Sequence, residues 1–352
     1  MSILARKSPA LLGIDISSTS IKVLELAKTG AHYRVESYAV EPLPPNSVIE
    51  KNITDAEQVG EAIGRAVKKS GTKTKLAACA VAGSAVITKI ITMPSELTDE
   101  ELEIQVHLEA DQYISYPLDE INMDFEVMNP TADDPDRVDV MLAASRSDNV
   151  DLRVAALEIG GLTAEIVDVE AFALENSVGL IVRDSAEDYG HTIAVVDIGA
   201  TVMTLSVLED MHIIYAREQA FGGKQLTQEI QRRYGLSYEE ASQATRQGGL
   251  PDSYELEVLE PFKESMAQEV NRAMQFFYSS SQNASVDSIL LAGGCASIAG
   301  IELLVEERCG IKVIGANPFA NMALSSRIKA DALSNDSPAM MIACGLALRS
   351  FD

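Results

Sequence analysis

Two segments of the chain share one pattern of apolar and polar positions. Residues 11–26 read LLGIDISSTSIKVLEL, and residues 192–208 read TIAVVDIGATVMTLSVL. In each, an apolar run ends in Asp-Ile and is followed by a turn of small and hydroxyl residues and by a second β-rich run. This pattern predicts two β-hairpins. Asp15 and Asp197 hold matching places 182 residues apart, about half of the chain, so the repeat predicts two similar halves.

The rest of the first half predicts an α/β core with an insertion. Residues 33–40 and 76–82 read as strands, and residues 55–69 read as a helix. Residues 96–139 then hold fifteen Asp or Glu residues and one basic residue, Arg137. Within this acidic stretch Thr98 and Glu101 form a capping box, and the face of the helix that follows is Leu102, Val106, Ala110 and Tyr113. Strands at 122–128 and 137–145 and a helix at 148–159 complete an inserted subdomain.

The second half repeats the core and adds helices. A strand and helix over 164–182 and a polar linker at 183–190 precede the second hairpin. A helical region spans 222–281, and a strand at 288–291 leads into Gly293-Gly294-Cys295, after which Ser297 is expected to open a helix. A closing helix is expected over 338–349. The predicted domains are a first core (1–83 and 161–184), the insert (84–160), a second core (190–221 and 283–352) and a helical subdomain (222–282).

Composition narrows the classes of function. A chain of 352 residues can bury sizeable cores without disulfides or metals. Its net charge of −25 argues against nucleic acid as a partner. No apolar run approaches the roughly 18 residues of a membrane-spanning helix, and the N-terminal residues do not form a secretion signal. The four cysteines and four histidines lack metal-site spacing, which predicts reduced thiols and no zinc.

The hairpins also predict chemistry. An Asp beside a turn of Ser, Thr and Gly offers N–H groups and hydroxyls to phosphate oxygens, while its carboxylate can hold a hydrated magnesium ion. Two such turns could bind a triphosphate from both sides. The alternative is that each Asp only caps its turn. In LLAGGCASIAGI two glycines would let the backbone approach a planar ligand, and the alternative is a simple turn from strand to helix.

Three segments resemble, in this order, the two phosphate loops and the adenosine loop of the actin, Hsp70 and sugar-kinase superfamily. They are GIDISSTSIKV, VVDIGATVMTLSV and LLAGGCASIAGI. VDVEAFALENSVGL and ACGLALRS resemble its two connecting helices. The resemblance implies an α/β fold, the actin-like (ribonuclease H-like) duplicated two-lobe ATPase fold, with an insert of the FtsA type. FGGKQLTQEI and ITMPSELTDEELEIQVHLEADQYISYPLDE further resemble the PilM family of type IV pilus assembly.

Site residues follow from this resemblance. It implies ATP and Mg²⁺ as cofactors, with Asp15 and Asp197 facing the magnesium through water. The residues implied to meet phosphate are Ser17, Ser18 and Thr19 on one side and Gly199, Ala200 and Thr201 on the other. Those implied to lie along the adenosine are Gly293, Gly294 and Cys295. Glu170 would polarise the attacking water, or else is a helix-opening Glu favoured by the helix dipole. Lys224 would approach the phosphates, or else is a solvated lysine.

The resemblance also implies a role and a partner. It implies a cytoplasmic scaffold that binds the N-terminal cytoplasmic segment of the inner-membrane protein PilN, in a groove between the first core and the insert, and connects it to the pilus motor ATPases. The acidic insert would attract a basic and apolar segment, or would only aid solubility. Two departures bear on this picture. Ser242 and Thr245 stand where relatives place a Glu and a Lys near the ribose and base, so nucleotide affinity or turnover is expected to be reduced.

The second departure concerns the membrane. FtsA ends in a membrane-binding amphipathic helix, whereas this sequence ends in ALRSFD, so attachment is expected through a partner. Two other functions stay open. One is an FtsA-like, nucleotide-dependent filament formed by self-association. The other is a small-molecule kinase of the same superfamily, which the sequence disfavours because it shows no second carboxylate motif.

Overall fold

A computed structural model of the chain describes residues 10–131, 134–185, 188–281 and 285–351. The other residues of the predicted domains and linker, namely 1–9, 132–133, 186–187, 282–284 and 352, lie outside the described residues. The chain forms two α/β lobes, and the first lobe carries an insert. Its elements before the insert are β1 (Leu12–Ile16), β2 (Ser20–Thr29), β3 (His32–Pro42), β4 (Val48–Ile49), β5 (Asn52–Ile53), α1 (Ala56–Ser70) and β6 (Leu76–Val81).

Helix α1 illustrates how local sequence builds the first lobe. The Asp55 side chain accepts a hydrogen bond from the N–H of Gln58 and so caps the N-terminus. Gly71 ends the helix in the left-handed region, with φ at 69°. The buried face of α1 packs on the core beneath β1 and β2, through Val59, Ala62, Ile63, Ala66 and Val67. Burial of each Val or Ile side chain in this set contributes roughly 1.5–3 kcal/mol, which fixes the helix on the sheet.

The insert is a small unit with its own core. It consists of β7 (Val86–Pro94), α2 (Asp99–Ala110), β8 (Ile121–Thr131) and β9 (Asp134–Arg146), with strand order β7-β9-β8. The Thr98–Glu101 capping box is present, and Leu102, Val106 and Ala110 are buried against the sheet. The placement of Tyr113 on this face was wrong. The helix ends at Ala110 and the chain turns, which leaves Tyr113 40% exposed.

The helix that follows the insert packs on the first lobe. Helix α3 (Ser147–Ile159) contributes Ala156 and Leu157 to the core shared with α1. A Cβ on Gly60 would lie 2.5 Å from the Ile159 side chain, which shows how closely α1 and α3 approach. Sequence analysis grouped this helix with the insert, whereas its buried face points to the first core. The chain then enters β10 (Thr163–Val169) and α4 (Glu170–Asp184).

The second lobe follows α4. Its elements are β11 (Thr192–Ile198), β12 (Met203–Glu209), β13 (His212–Gln219), α5 (Gly223–Tyr234), α6 (Tyr238–Gln247), a π-helical turn (Glu255–Leu259), α7 (Glu260–Ser280), β14 (Ser288–Ala292), α8 (Ile301–Cys309) and β15 (Lys312–Gly315). The chain then returns to the first lobe with β16 (Ala323–Leu324), α9 (Ala330–Asp336) and α10 (Met341–Leu348). Ser297 does not open a helix. It ends a short 3₁₀ turn, and α8 begins only at Ile301, after Gly300 reverses the chain at φ 78°.

The two sheets repeat one topology. In the first, the order is β10-β6-β1-β2-β3-β16, and in the second it is β13-β12-β11-β14-β15. In each sheet the predicted hairpin pairs antiparallel with a third strand on one side and parallel with a crossover strand on the other. The internal repeat in the sequence therefore corresponds to two lobes of the same construction.

Two helices connect the lobes, and their backbones pack unusually close to each other. Helix α4 runs from the first lobe to the second, and α10 shares its residues between the cores of both. A Cβ on Gly345 of α10 would overlap the carbonyl oxygen of Ala173 in α4, and one on Gly13 of β1 would overlap that of Ala343. Only glycine allows this approach of backbone to backbone. None of the helices in the described ranges has the length and hydropathy of a membrane-spanning segment.

Candidate functional site: the cleft between two hairpins

The first hairpin presents a carboxylate with its own counterion. Asp15, near the end of β1, lies opposite Lys22 of β2 in the antiparallel register. The Lys22 ammonium donates to Asp15 Oδ2 at 2.6 Å, and both side chains are nearly buried. Burial opposes the charge on Lys22, but the carboxylate of Asp15, with smaller contributions from Asp197 and Glu170, outweighs it and raises the pKa of Lys22. This hairpin therefore holds a fixed ion pair at its tip.

The second hairpin presents a carboxylate without such a partner. Asp197 lies opposite Thr204, so no cation stands across the strand pair. Burial raises the pKa of Asp197, and the more distant Lys22 and Lys51 only partly oppose that rise. Among the described residues, no ion pair to Asp197 is formed. This carboxylate therefore has a charge that the protein itself leaves largely unbalanced.

Backbone groups behind the second hairpin fix its turn. The N–H of Gly223 donates to Gly199 O and that of Lys224 to Ala200 O, at 3.1 and 2.8 Å. A Cβ on Gly222 would lie 2.6 Å from this backbone, which explains the Gly-Gly pair. The Lys224 side chain is exposed, and the contact seen for this residue is made by its main chain. The phosphate contact proposed for its ammonium stays a prediction.

The tips of the two hairpins meet. The Thr201 hydroxyl lies 3.1 Å from the Ser18 hydroxyl, with Thr201 donating, so one hydrogen bond joins the lobes where their turns face each other. Ser17 instead bonds within its own turn, to Ser20 O at 2.9 Å, and the carbonyl of Thr19 accepts from Leu43. The structure thus brings the two predicted phosphate-binding turns together.

A second lysine joins the lobes through two carboxylates. Lys51, in the turn between β4 and β5, donates to Glu170 Oε2 at 2.8 Å and lies 3.0 Å from Glu218 Oε1. Glu170 opens α4, and Glu218 is on β13 of the second lobe. Burial raises the pKa of Glu170, although the Lys51 ammonium opposes that rise. Glu170 is therefore at the cleft, as predicted, but its carboxylate is bonded to a lysine.

The glycine turn after β14 borders the second hairpin. Gly293 has φ at 86°, and its N–H donates to Pro338 O at 2.7 Å. Its missing side chain makes room for Asp197, because a Cβ would lie 2.6 Å from Asp197 Oδ1. Gly294 faces open space. Cys295 is buried, with its thiol 3.5 Å from Gly199 O, and burial raises its pKa to about 12.

Other residues of the predicted nucleotide region lie on α6. The Thr245 hydroxyl donates to Ala241 O in the preceding turn, and Ser242 is partly exposed. Neither side chain carries a charge. The loss of the charged pair that relatives place here stays an expectation about nucleotide affinity.

Sequence reasoning missed four residues of this site. Lys22, Lys51 and Glu218 complete the charged cluster, and the buried guanidinium of Arg153 donates to Lys51 O at 3.1 Å and to Ala80 O at 2.6 Å. The signal for Lys22 was available, because counting back from the hairpin turn places it opposite Asp15. No local pattern marks the others, since Lys51 and Glu170 are 119 residues apart.

The donor set fits a hydrated cation carried by an anionic ligand. Within the part of the chain that the structure describes, no three Asp, Glu, His or Cys residues are arranged to ligate a metal directly. Asp15 and Asp197 would instead hold water molecules of a magnesium ion, which usually keeps several waters beside phosphate. The unbalanced Asp197 charge is the observation that fits this arrangement.

Two facing hairpins, duplicated lobes and a pair of crossing helices define a protein of the actin-like ATPase fold. Solved structures agree. The ethanolamine utilization protein EutJ from Carboxydothermus hydrogenoformans matches with a TM-score of 0.56 at 15% identity, over 97% of this chain and 90% of that one. MreB 5 of Spiroplasma citri, bound to AMPPNP, matches with a TM-score of 0.50 at 12% identity, over 96% and 95%.

The particular family follows from two further comparisons. The family model described as type IV pilus assembly protein PilM matches residues 13–351. A PilM–PilN type IV pilus biogenesis complex matches with a TM-score of 0.78 at 26% identity, over 98% of this chain and 99% of that one. The chain belongs to the PilM family of type IV pilus assembly proteins. The resemblance inferred from the sequence is confirmed.

Proposed function

We propose that this chain is an ATP-binding scaffold of type IV pilus assembly that grips the N-terminal cytoplasmic segment of PilN. The match along nearly the whole chain to a PilM–PilN complex is the observation that supports the partner. The hairpin pair with Asp15 and Asp197 supports the nucleotide, with Mg²⁺ held through water. In this proposal the protein lies at the cytoplasmic face of the inner membrane through its partner.

The junction between insert and first lobe is the proposed docking place. A pocket of about 310 Å³ lies in the insert and is lined by His107, Leu118, Ile121, Asn122 and Met123. Asn122 also lies 3.3 Å from the hydroxyl of Ser147, the first residue of α3, so the pocket borders the helix that packs on the first lobe. A pocket of this size fits an apolar side chain or two of an extended segment.

Charge around the pocket favours a basic segment. The neighbouring surface carries four exposed acidic residues, Glu100, Glu103, Asp111 and Asp119. Exposed charges steer an oppositely charged partner and raise its association rate, more so at low salt. The proposed partner segment therefore combines basic residues with one or two apolar anchors.

The test is calorimetry with a peptide from the start of the PilN that accompanies this chain, with and without Mg-ATP. We expect micromolar binding. Leu118→Ala should weaken it about tenfold, because an apolar side chain of the peptide loses its contact with Leu118. Leu303→Ala is the matched control, since Leu303 lines a pocket of the second lobe. Equal affinity of both variants with the unchanged chain would contradict the docking place, and no peptide binding at all would contradict the scaffold proposal.

A further inference from the structure

Lys51 stands in a turn whose backbone is strained. The turn connects β4 to β5, and both of its central residues, Glu50 and Lys51, are in the left-handed region, with φ at 48° and 64°. Hairpin turns of this kind normally use Asn and Gly, because other residues lose about 1 kcal/mol or more there. Neither position is glycine. Lysine is therefore not a residue that the conformation of this turn favours.

The Lys51 side chain holds the two lobes together. Its ammonium is bonded to Glu170 at the base of α4 and to Glu218 at the end of β13, and the side chain is 20% exposed. Burial works against the charge, yet the two carboxylates outweigh it and raise the pKa of Lys51. Lys51 is therefore charged, and it is the second cation of the cleft beside Lys22.

The two cations differ in their freedom to move. Lys22 is on a long strand inside the sheet and stands directly across from Asp15. Lys51 is at the tip of a two-stranded ribbon with two residues in each strand. A change of partner thus costs less for Lys51 than for Lys22.

The order of strands places Lys51 at one end of the predicted nucleotide. In the second sheet β14 and β13 lie on opposite sides of the β11–β12 hairpin. Asp197 pairs with Ala292, just before the glycine turn, and Thr204 pairs with Glu218 on the other side. A nucleotide with its base at the glycine turn and its phosphates along the hairpin would have its terminal phosphate toward Glu218 and Lys51.

We propose that Lys51 binds the terminal phosphate of the nucleotide and releases Glu218 to do so. The inference rests on the proposed function, because it takes nucleotide binding in this cleft as given. A phosphate bearing about two negative charges is a stronger partner for an ammonium than one carboxylate. ATP thus breaks an ion pair between the lobes, whereas ADP is one phosphate too short and leaves it in place. Lys51 makes the cleft selective for the triphosphate.

Calorimetric titration with Mg-AMPPNP and with Mg-ADP tests this inference. We expect the unchanged chain to bind AMPPNP more tightly than ADP. Lys51→Met should weaken AMPPNP at least tenfold and ADP less than twofold, and Lys51→Arg should keep most of the difference. Glu218→Gln should strengthen AMPPNP severalfold, because the ammonium loses a competing carboxylate. Lys73→Met, which removes an exposed lysine of the same lobe, is the control and should change neither.

The outcomes separate the two proposals. Binding of both nucleotides with the same ratio in every variant would overturn the role of Lys51 and leave nucleotide binding intact. If the unchanged chain binds neither nucleotide, the nucleotide part of the proposed function fails first, and the Lys51 inference fails with it. Thermal unfolding without nucleotide identifies a variant that has simply lost its fold, and Lys51→Arg and Glu218→Gln then decide the question.

Discussion

The two hairpins share a sequence pattern but differ in one cross-strand position. Asp15 faces Lys22, and Asp197 faces Thr204 at the same register. The first hairpin therefore carries a carboxylate in an ion pair, and the second carries a largely buried carboxylate without a bonded cation. The two copies of the fold thus differ in charge balance, because only the first hairpin supplies a lysine to its own carboxylate.

The environment also separates the two turns. From outside its hairpin, the first turn receives one backbone bond among the described residues, from the N–H of Leu43 to Thr19 O. The second is fixed from behind by Gly223 and Lys224 at the start of α5. The turn that follows the unpaired carboxylate thus has one more backbone bond from outside its hairpin than the first turn has.

The largest effect on stability is expected when the ion pair of the first hairpin is broken. Asp15→Asn leaves the Lys22 ammonium buried without its counterion, and the loss of one partner of a buried pair costs roughly 3 kcal/mol. We expect the free energy of unfolding to fall by about this amount in urea denaturation without nucleotide. The double variant Asp15→Asn, Lys22→Met removes both charges and should recover most of the loss. No recovery would mean that the pair is not what Asp15 contributes.

Removal of the carboxylate of the second hairpin is expected to change stability in the opposite direction. Burial raises the pKa of Asp197, so the folded chain holds this proton more tightly than the unfolded chain does. Stability then falls as pH rises from the ordinary aspartate value of about 4 through the raised pKa. Asp197→Asn removes this penalty. It should gain on the order of 1 kcal/mol at pH 7 and nothing below about pH 4.

Urea denaturation across that pH range measures the difference. Thr204→Lys offers a second variant, because it would supply the counterion that the first hairpin has, and it should remove much of the same penalty. A loss of stability in Asp197→Asn at pH 7 would show that Asp197 is already balanced in the folded chain.

The smallest effect concerns the bond between the two tips. Thr201→Val removes the hydroxyl that donates to Ser18, and a partly buried hydrogen bond contributes about 1 kcal/mol or less. Ser18→Ala removes the acceptor of the same bond. The double variant should therefore lose no more than the larger single loss. Additive losses would show that the two hydroxyls act separately.

The parts that sequence predicted are those that local patterns determine. Both hairpins, the capping box at Thr98 and the insert follow from short-range spacing and from the repeat, and the structure has each of them. Helix ends were less certain. Tyr113 fits the periodicity of α2, but the periodicity does not show that the chain turns after Ala110. Serine is a common N-cap residue, but Ser297 is the last residue of a 3₁₀ turn and does not cap a helix.

The site was only half predictable for the same reason. The hairpin pattern marks Asp15 and Asp197 in the sequence. Lys51 can be recognised as part of the site only from its ion pairs with Glu170 and Glu218, which are far from it along the sequence. Its turn has no Gly or Asn, so the usual hairpin signal is absent. The roles of Ser17, Gly294 and Glu170 toward a nucleotide stay predictions.

The glycine contact between α10 and α4 has a mechanical consequence for the cleft. Gly345 touches α4 at Ala173, three residues after Glu170, which is about 5 Å along the helix axis. If the lobes rock about this crossing as a pivot, Glu170 sits almost on the axis and scarcely moves. Glu218 is on β13 of the second lobe, so it moves with that lobe. Opening the cleft therefore stretches the Lys51–Glu218 bond first and leaves Lys51 on Glu170.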